Sequence, residues 1–292
     1  MNRPTPDPRD VALILGDAGE VIPTASLDDL EDAAIQLAKA SPSVLAIWGG
    51  DGTIGASLSA LVRAYGSRQL PELCLLPGGT MNCIATCIGG NGTAGSMLAR
   101  LKLALEEGRE IQRAYRTSIH IRQHYGFLFG VGLIPNFLNA YNAGKQQGPM
   151  KALQVFMMAA PGLLKSKHAR DPFFDPFAAK LTLNGETWEG LWTNLSGGGI
   201  DCLPLGFRAY TRATEKSGCF HFVAHDLKAW GAAYELIAIK LGFGMQRVRQ
   251  DVAHRVHIEL ERRLPFNIDG DNFDPIDRFD LAAGPTITAL LP

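Results

Sequence analysis

Five consecutive residues, Gly49-Gly-Asp-Gly-Thr53, have the types and spacing to hold a phosphate and to move a proton. The three glycines lack a Cβ, so their backbone N–H groups can come close to a bulky anion. They follow a continuous apolar run from Val44, the pattern of a strand buried on both faces, and precede Ile54, Leu58, Leu61 and Val62 at helical spacing. A strand, a glycine loop and a helix start, in that order, aim the first free N–H groups and the positive end of the helix dipole at an anion. Asp51 repels phosphate, so it makes sense there as a magnesium ligand or as the group that takes a proton from an attacking hydroxyl. The same residues also suit a plain tight turn. A second glycine loop, Pro77-Gly-Gly-Thr-Met-Asn82, follows the short apolar strand Leu73–Leu76. Both loops fall at strand carboxyl ends, where parallel sheets bind ligands, so they can face one cleft.

The elements that must position these loops alternate between strand and helix. Val11–Leu15 reads as a short strand, and the polar, proline-rich Met1–Asp10 as a loose tail. Ser26 with Asp29 three residues on starts a helix whose buried stripe is Leu27, Leu30, Ala34 and Leu37, stopped by Pro42. Another helix runs from Ile54 to about Tyr65, and a third carries Met97, Leu98, Leu101 and Leu105 and ends near Gly108. This alternation predicts a parallel sheet covered on both faces. From Ile111 the pattern changes to strands. Thr117–Arg122 and Tyr125–Val131 read as a hairpin, as do Lys180–Leu183 and Thr187–Leu195 around Asn184-Gly185, a type I′ signal. Phe220–Val223, Val252–Leu260 and Phe266–Ile268 read as further strands, and Thr286–Leu291 as a last one whose partner the pattern leaves open. The expected organisation is an α/β domain with a parallel sheet over residues 1–113 and an antiparallel β-sandwich or barrel over 114–281, with 282–292 packing back on the first. Two apolar stretches, Pro149–Ser166 and Leu227–Phe243, read as helices packed on the second domain or as a gate meeting lipid.

With 46% hydrophobic and 20% charged residues the chain of 292 has the balance of a globular protein with a substantial core. A net charge of -1 argues against nucleic acid as a partner, while membrane contact through a local patch stays open. No apolar run reaches transmembrane length. Five scattered cysteines, an odd number, favour reduced thiols in a cytoplasmic protein. Cys83 and Cys87, His221 and His225, and His254 and His257 have spacings found at metal sites, but they read as buried thiols and strand residues. Arg247, Arg249, Arg262 and Arg263 read as a solvated face within sequence reach of Asp269.

Gly49-Gly-Asp-Gly-Thr53, Pro77-Gly-Gly-Thr-Met-Asn82 and Ile268-Asp-Gly-Asp271 together resemble the diacylglycerol kinase catalytic family, which includes bacterial diacylglycerol kinases and the sphingosine and ceramide kinases. Weaker matches at Gly130–Leu133, Gly148-Pro149, Asn194, Gly197–Gly199 and Gly218 extend the resemblance over nearly the whole chain. It implies an α/β nucleotide domain and a β-sandwich with ATP and a lipid meeting in the interdomain cleft. On that reading Gly49, Gly50, Gly52, Thr53, Gly79 and Thr80 cradle the ATP phosphates and Asn82 holds its loop. Asp51 serves magnesium or the substrate hydroxyl, and Asp269 and Asp271 reach the cleft, one of them as general base. The implied activity is ATP- and magnesium-dependent phosphorylation of a membrane lipid at the inner face of the membrane, with oligomeric state open. Four departures stand out. Gly16-Asp-Ala-Gly19 replaces the opening Asn-Pro-x-Ser-Gly turn, and the distance from there to Asp51 is short by about one strand–helix unit. Cys83 replaces an aspartate, which tilts the acceptor towards a ceramide- or sphingoid-type lipid. Glu215-Lys-Ser-Gly-Cys219 replaces a metal-binding stretch, and Asp271 replaces a glutamate. Alternatives are a nucleotide- or lipid-binding regulator of the same fold and a relative of the NAD kinases, which share the Gly-Gly-Asp-Gly loop.

Overall fold

The computed structural model describes residues 7–142, 172–203 and 206–292. Helix α1, Pro8–Leu15, starts where the Asp7 carboxylate accepts the Arg9 N–H at 2.9 Å and Pro8 takes an early helical position. This corrects the expected strand at Val11–Leu15 and the loose tail to Asp10. Val11, Ile14 and Leu15 stand at helical, not alternating, spacing, and pack with Met97, Leu98 and Leu101 of α5, Ala94–Glu106. Helix α2, Leu27–Ala40, opens on a capping box: Asp29 N–H donates to Ser26 Oγ and Ser26 N–H to the Asp29 carboxylate.

Strands β1, Val44–Gly49, and β2, Glu72–Pro77, are parallel and joined by α3, Asp51–Tyr65. Alternate residues of β2 go to opposite cores. Leu73 and Leu75 meet Ala34, Ile54, Leu58 and Leu61 of α2 and α3, while Cys74 and Leu76 meet α5 on the other face. That two-sided burial is why the apolar run is uninterrupted. A short helix α4, Cys83–Ile88, follows the second glycine loop and was not anticipated.

The later strands are β3 (Gln112–Ile121), β4 (His124–Gly126), β5 (Leu128–Gly132), β6 (Phe177–Leu183), β7 (Glu186–Trp192), β8 (Asn194–Gly198), β9 (Phe220–His225), β10 (Arg249–Ala253), β11 (Arg255–Ile268) and β12 (Asp271–Leu291). Helix α6, Leu133–Asn142, follows β5, and α7, Ala229–Lys240, follows β9. The strand-rich half is antiparallel throughout. Asn184 (φ 50°) and Gly185 (φ 82°) turn the β6–β7 hairpin, as their sequence indicates. Three expected strands are each broken in two: Phe127 separates β4 from β5, Thr193 separates β7 from β8, and His254 separates β10 from β11. Each break lets the chain change partners. β4 pairs with β3, whereas β5 lies between β11 and β8.

The principal strand order is β1-β2-β12-β11-β5-β8-β9-β10. β11 pairs with β6 through Val256–Leu260 and with β5 through Phe266–Ile268, on either side of a register shift. This folds the antiparallel half over a core of Phe129, Leu181, Trp188, Phe220, Phe222, Ile258 and Leu281. The last strand finds its partners in the first half of the chain: Thr286–Leu291 pairs with Gln112–Thr117 of β3, and Ala289 lies opposite Leu73 of β2. Pro149–Ser166, Lys151, Lys165 and Lys167 lie outside the described residues. Among the described residues no helix is long and apolar enough to cross a membrane.

Candidate active site

Gly49 ends β1 and Gly50 caps α3, so Asp51, Gly52 and Thr53 form its first turn. The ladder of α3 starts with Ile54 N–H donating to Gly50 O at 3.0 Å, leaving the preceding N–H groups outside it. The second loop lies directly against the first. A Cβ on Gly79 would stand 2.6 Å from Gly50 Cα, and one on Gly78 2.8 Å from the Trp48 ring. Gly78 N–H donates to Gly49 O at 2.8 Å. The glycines are thus required by the approach of loop to loop, before any ligand is considered. Asn82, in the left-handed region (φ 49°), closes its loop: Oδ1 accepts Gly79 N–H at 2.7 Å and Nδ2 donates to Gly79 O at 2.8 Å. Thr80 is half-buried in that loop and Thr53 is exposed on α3.

Asp51 turns its carboxylate across to α4, where Oδ2 accepts Cys83 N–H at 3.0 Å and Oδ1 accepts Ile84 N–H at 2.8 Å. It therefore caps a helix remote in sequence while sitting in the first turn of its own. The Asp269-Gly270 pair is the two-residue turn between β11 and β12, with φ 52° and 100° and Ile268 opposite Asp271. Asp269 is 8% exposed. Its Oδ1 accepts Phe127 N–H at 2.9 Å and Leu128 N–H at 2.8 Å, and Oδ2 lies 3.0 Å from Phe127 N.

This turn brings two carboxylates over the start of α3. A Cβ on Gly52 would be 3.1 Å from Asp271 Oδ2, and one on Gly55 would be 3.3 Å from Asp269 Oδ2. Asp51, Asp269 and Asp271, from opposite ends of the chain, therefore meet beside the paired glycine loops. Sequence reasoning missed Gly55 and Gly126, which make this approach possible; on Gly126 a Cβ would stand 2.3 Å from Asp269 Oδ2. For Gly126, a glycine inside a strand was the available signal; Gly55 lies within α3. The Phe127 and Leu128 N–H groups left no signal at all.

Burial pushes the Asp269 carboxyl up to about 8, against the lowering effect of the N–H bonds, and the charges of Asp51 and Asp271 push the same way. Asp51 is also raised, chiefly by burial, with the Ile84 and Cys83 N–H groups opposing and Asp271 adding to the rise. Burial raises Asp271 too. Of the three, Asp271 is the exposed one.

The cysteines require a correction. Cys87 of α4 and Cys202, just after β8, form a disulfide, with Cα atoms 5.8 Å apart and 115 residues between them. Such a separation hides the pairing from any local pattern. Cys74, Cys83 and Cys219 are free and buried. The Cys83 thiol stands 3.7 Å from Cys87 Sγ, and burial, then Asp51 and Asp269, push it well above the ordinary thiol range. It faces the disulfide and the Cys202 carbonyl.

Other candidates fall elsewhere. His221 and His225 share a face of β9 and are buried; burial pushes both down to about 4, and His221 Nε2 lies 2.9 Å from Gln250 Oε1. His254 Nδ1 lies 2.8 Å from Gly218 O and His257 Nδ1 2.8 Å from Asp280 Oδ1. Arg262 pairs with Asp175, Arg263 binds Pro275 O, and Arg247 and Arg249 stand over the Tyr234 and Trp188 rings. Glu215 pairs with Arg212. Among the described residues no group of three His, Cys, Asp or Glu side chains forms a metal cage.

The donor set at α3 nevertheless suits magnesium arriving with a nucleotide. Magnesium is held by one or two carboxylates plus phosphate oxygens, and here three carboxylates share a site in which the charges acting on Asp269 are those of Asp51 and Asp271. A cation there would relieve that repulsion.

Residues 9–112 match the family model of the diacylglycerol kinase catalytic domain. The diacylglycerol kinase match includes both glycine loops and ends where β3 begins, so it covers neither Asp269 nor Asp271. The fold of the whole is similar to solved structures from Bacillus anthracis str. Sterne assigned as a diacylglycerol kinase. One has 18% identity and a TM-score of 0.69, covering 92% of this chain and 84% of that one. A second has 19% identity and a TM-score of 0.67 over the same shares. Another has 17% identity and a TM-score of 0.60, covering 92% and 83%. No curated protein matches. At these identities the solved structures establish the shared fold: a mixed sheet with helices and an antiparallel, strand-rich second half.

Proposed function

We propose that this chain is an ATP-dependent lipid kinase that transfers the γ-phosphoryl group to a hydroxyl of a membrane lipid. The observation that carries the reading is the convergence of Asp51, Asp269 and Asp271 on the start of α3, beside two glycine loops packed backbone to backbone. Gly49, Gly50, Gly52, Thr53, Gly79 and Thr80 line the phosphate path, and Asn82 fixes the second loop. Magnesium, when bound with the nucleotide, neutralises charge on the phosphates. Asp51 is placed to share it, since each of its oxygens keeps a lone pair beyond the N–H that it accepts.

Of the two candidates on the β11–β12 turn, Asp271 is the general base. Asp269 is buried and spends its oxygens on Phe127 and Leu128, so its work is to pin β5 and the turn. Asp271 is exposed above Gly52, where it takes the proton from the lipid hydroxyl as that oxygen attacks the γ-phosphorus and ADP leaves. The acceptor is diacylglycerol or a ceramide- or sphingoid-type lipid. Cys83, turned into the cysteine cluster, gives no contact that would separate them.

The test is purified protein with ATP, magnesium and a panel of diacylglycerol, ceramide, sphingosine and prenol lipids, with NAD as a further acceptor. Transfer to a lipid, lost in Asp271→Asn, supports the reading. ATP binding without transfer to any acceptor would make the chain a regulator of the same fold, and conversion of NAD to NADP would replace the lipid reading.

A further inference from the structure

Helix α7 is apolar on two faces. Its inner face buries Ala232, Ala238 and Ile239, the last against Tyr210 and Val223. Its outer face carries Tyr234, Ile237 and Leu241 at spacings of three and four, 52%, 61% and 67% exposed, and Phe243 just beyond is 68% exposed. Among the described residues, five of the thirteen exposed large hydrophobics fall within residues 230–243, so this is a patch and not scatter. The patch is held rigidly. The buried Glu235 carboxylate accepts the N–H groups of Gln246 and Arg247, both at 2.7 Å, tying the segment after α7 back to the helix.

The charges around the patch are mostly basic. Between residues 226 and 249 there are four basic residues, Lys228, Lys240, Arg247 and Arg249, against Asp226 and Glu235, and Glu235 is buried. The whole chain carries -1, so this excess is local. Lys228 caps the start of α7 and Lys240 lies in its last turn. The Arg247 guanidinium stands 5.5 Å from the centre of the Tyr234 ring, at the border of the apolar stripe. Beside it opens a groove of about 620 Å³ between β7 and β10, lined by Arg247, Arg249, Gln246, His225, Asp226 and Glu189. Glu189 is paired with Lys180.

We infer that the outer face of α7, with Phe243 and the basic residues around it, is where this protein docks on a bilayer containing anionic lipid. At twelve residues the helix is about 18 Å long, too short to span and suited to lying in the interface. Tyr234, Ile237, Leu241 and Phe243 enter the acyl boundary, while Lys228, Lys240 and Arg247 sit at phosphate level, where each basic side chain gains from an anionic surface. The inner face rests on the cluster that includes Leu128, whose N–H holds Asp269. The inference deepens the lipid-kinase reading by naming the surface that meets the substrate's membrane, and its binding test needs no ATP.

The experiment is co-sedimentation of the full chain with phosphatidylcholine vesicles, with and without phosphatidylglycerol. The wild type is expected to bind the mixed vesicles, less so at high salt. Ile237→Asp with Leu241→Asp is expected to weaken that binding at least about tenfold. Lys228→Gln with Arg247→Gln is expected to remove the gain from phosphatidylglycerol while leaving weaker binding to phosphatidylcholine. Thermal melts, and transfer to a short-chain acceptor dissolved in water, are expected to be unchanged in the aspartate variant, which separates docking from folding and chemistry. Undiminished vesicle binding by that variant overturns the inference. So does light scattering that shows a wild-type dimer, a monomeric aspartate variant and no vesicle binding by either, because the face would then belong to a second copy. Vesicle binding as expected in a protein that phosphorylates no lipid keeps the docking face and removes the kinase reading.

Discussion

Where Gly49–Thr53 meets Pro77–Asn82, backbone lies against backbone, and the wall is shaped by the absence of side chains. The Asp269–Asp271 turn facing it is built the other way, with one buried carboxylate gripping the N–H groups of Phe127 and Leu128 and a second left exposed. One wall tolerates no added atom and the other depends on particular oxygens. The contrast teaches that neighbouring aspartates can stand in different states: Asp269 is buried on its N–H donors and Asp271 is exposed, and on the proposed kinase reading it is Asp271 that is left for chemistry.

The division is tested most severely at Asp271. Asp271→Asn is expected to lower kcat by about 10²–10⁴-fold, the usual worth of a general base, with little change in the thermal midpoint. A large loss of stability with normal turnover would reverse the two roles. The next effect is expected at the disulfide that ties α4 to the chain after β8. Replacing Cys87 by Ser should cost about 2–4 kcal/mol in denaturant unfolding, and a reductant should do the same to the wild type but not to the variant. On the glycine wall, Gly79→Ala puts a Cβ 2.6 Å from Gly50 Cα, which should cost about 1–3 kcal/mol and weaken nucleotide binding seen by calorimetry. Unchanged binding would mean that the two loops need not touch.

The remaining effect is a slope, up to about 1.4 kcal/mol for any one pH unit. The folded Asp269 carboxyl keeps its proton up to about pH 8, whereas an unfolded one loses it near its ordinary value of 3.8. Between those limits the folded state binds more protons, so this group's contribution to stability is full at low pH and is lost as pH rises towards 8. Asp269→Asn should remove up to about 1.4 kcal/mol per pH unit from that slope, measured by denaturant unfolding across the range. An identical slope in the variant would show that Asp269 is ionised throughout.

Much of the first half was legible because its signals are local. Ser26 and Asp29 mark a helix start within four residues, just as, in the second half, Asn184-Gly185 specifies its own turn. The miss at Val11–Leu15 is also local: Asp7-Pro8 was a helix-start signal that outweighed a short apolar run. The second half misled where strands change partners. Apart from Gly126, nothing in Tyr125–Val131 says that the chain breaks at Phe127, because that break serves a carboxylate 142 residues away.

By itself, then, the sequence determined the two glycine loops, Asp51 within the first, and the strand–helix alternation that places them at strand ends, because glycine and apolar periodicity act over a few residues; Asp269 and Asp271 became candidates through the family resemblance. Tertiary structure alone decided which aspartate is buried, that Asp51 caps α4, that Cys87 pairs with Cys202 and that Thr286–Leu291 joins β3 and β2. Those outcomes depend on packing between segments tens to hundreds of residues apart, where burial and charge repulsion set each group's state, and no local pattern records that.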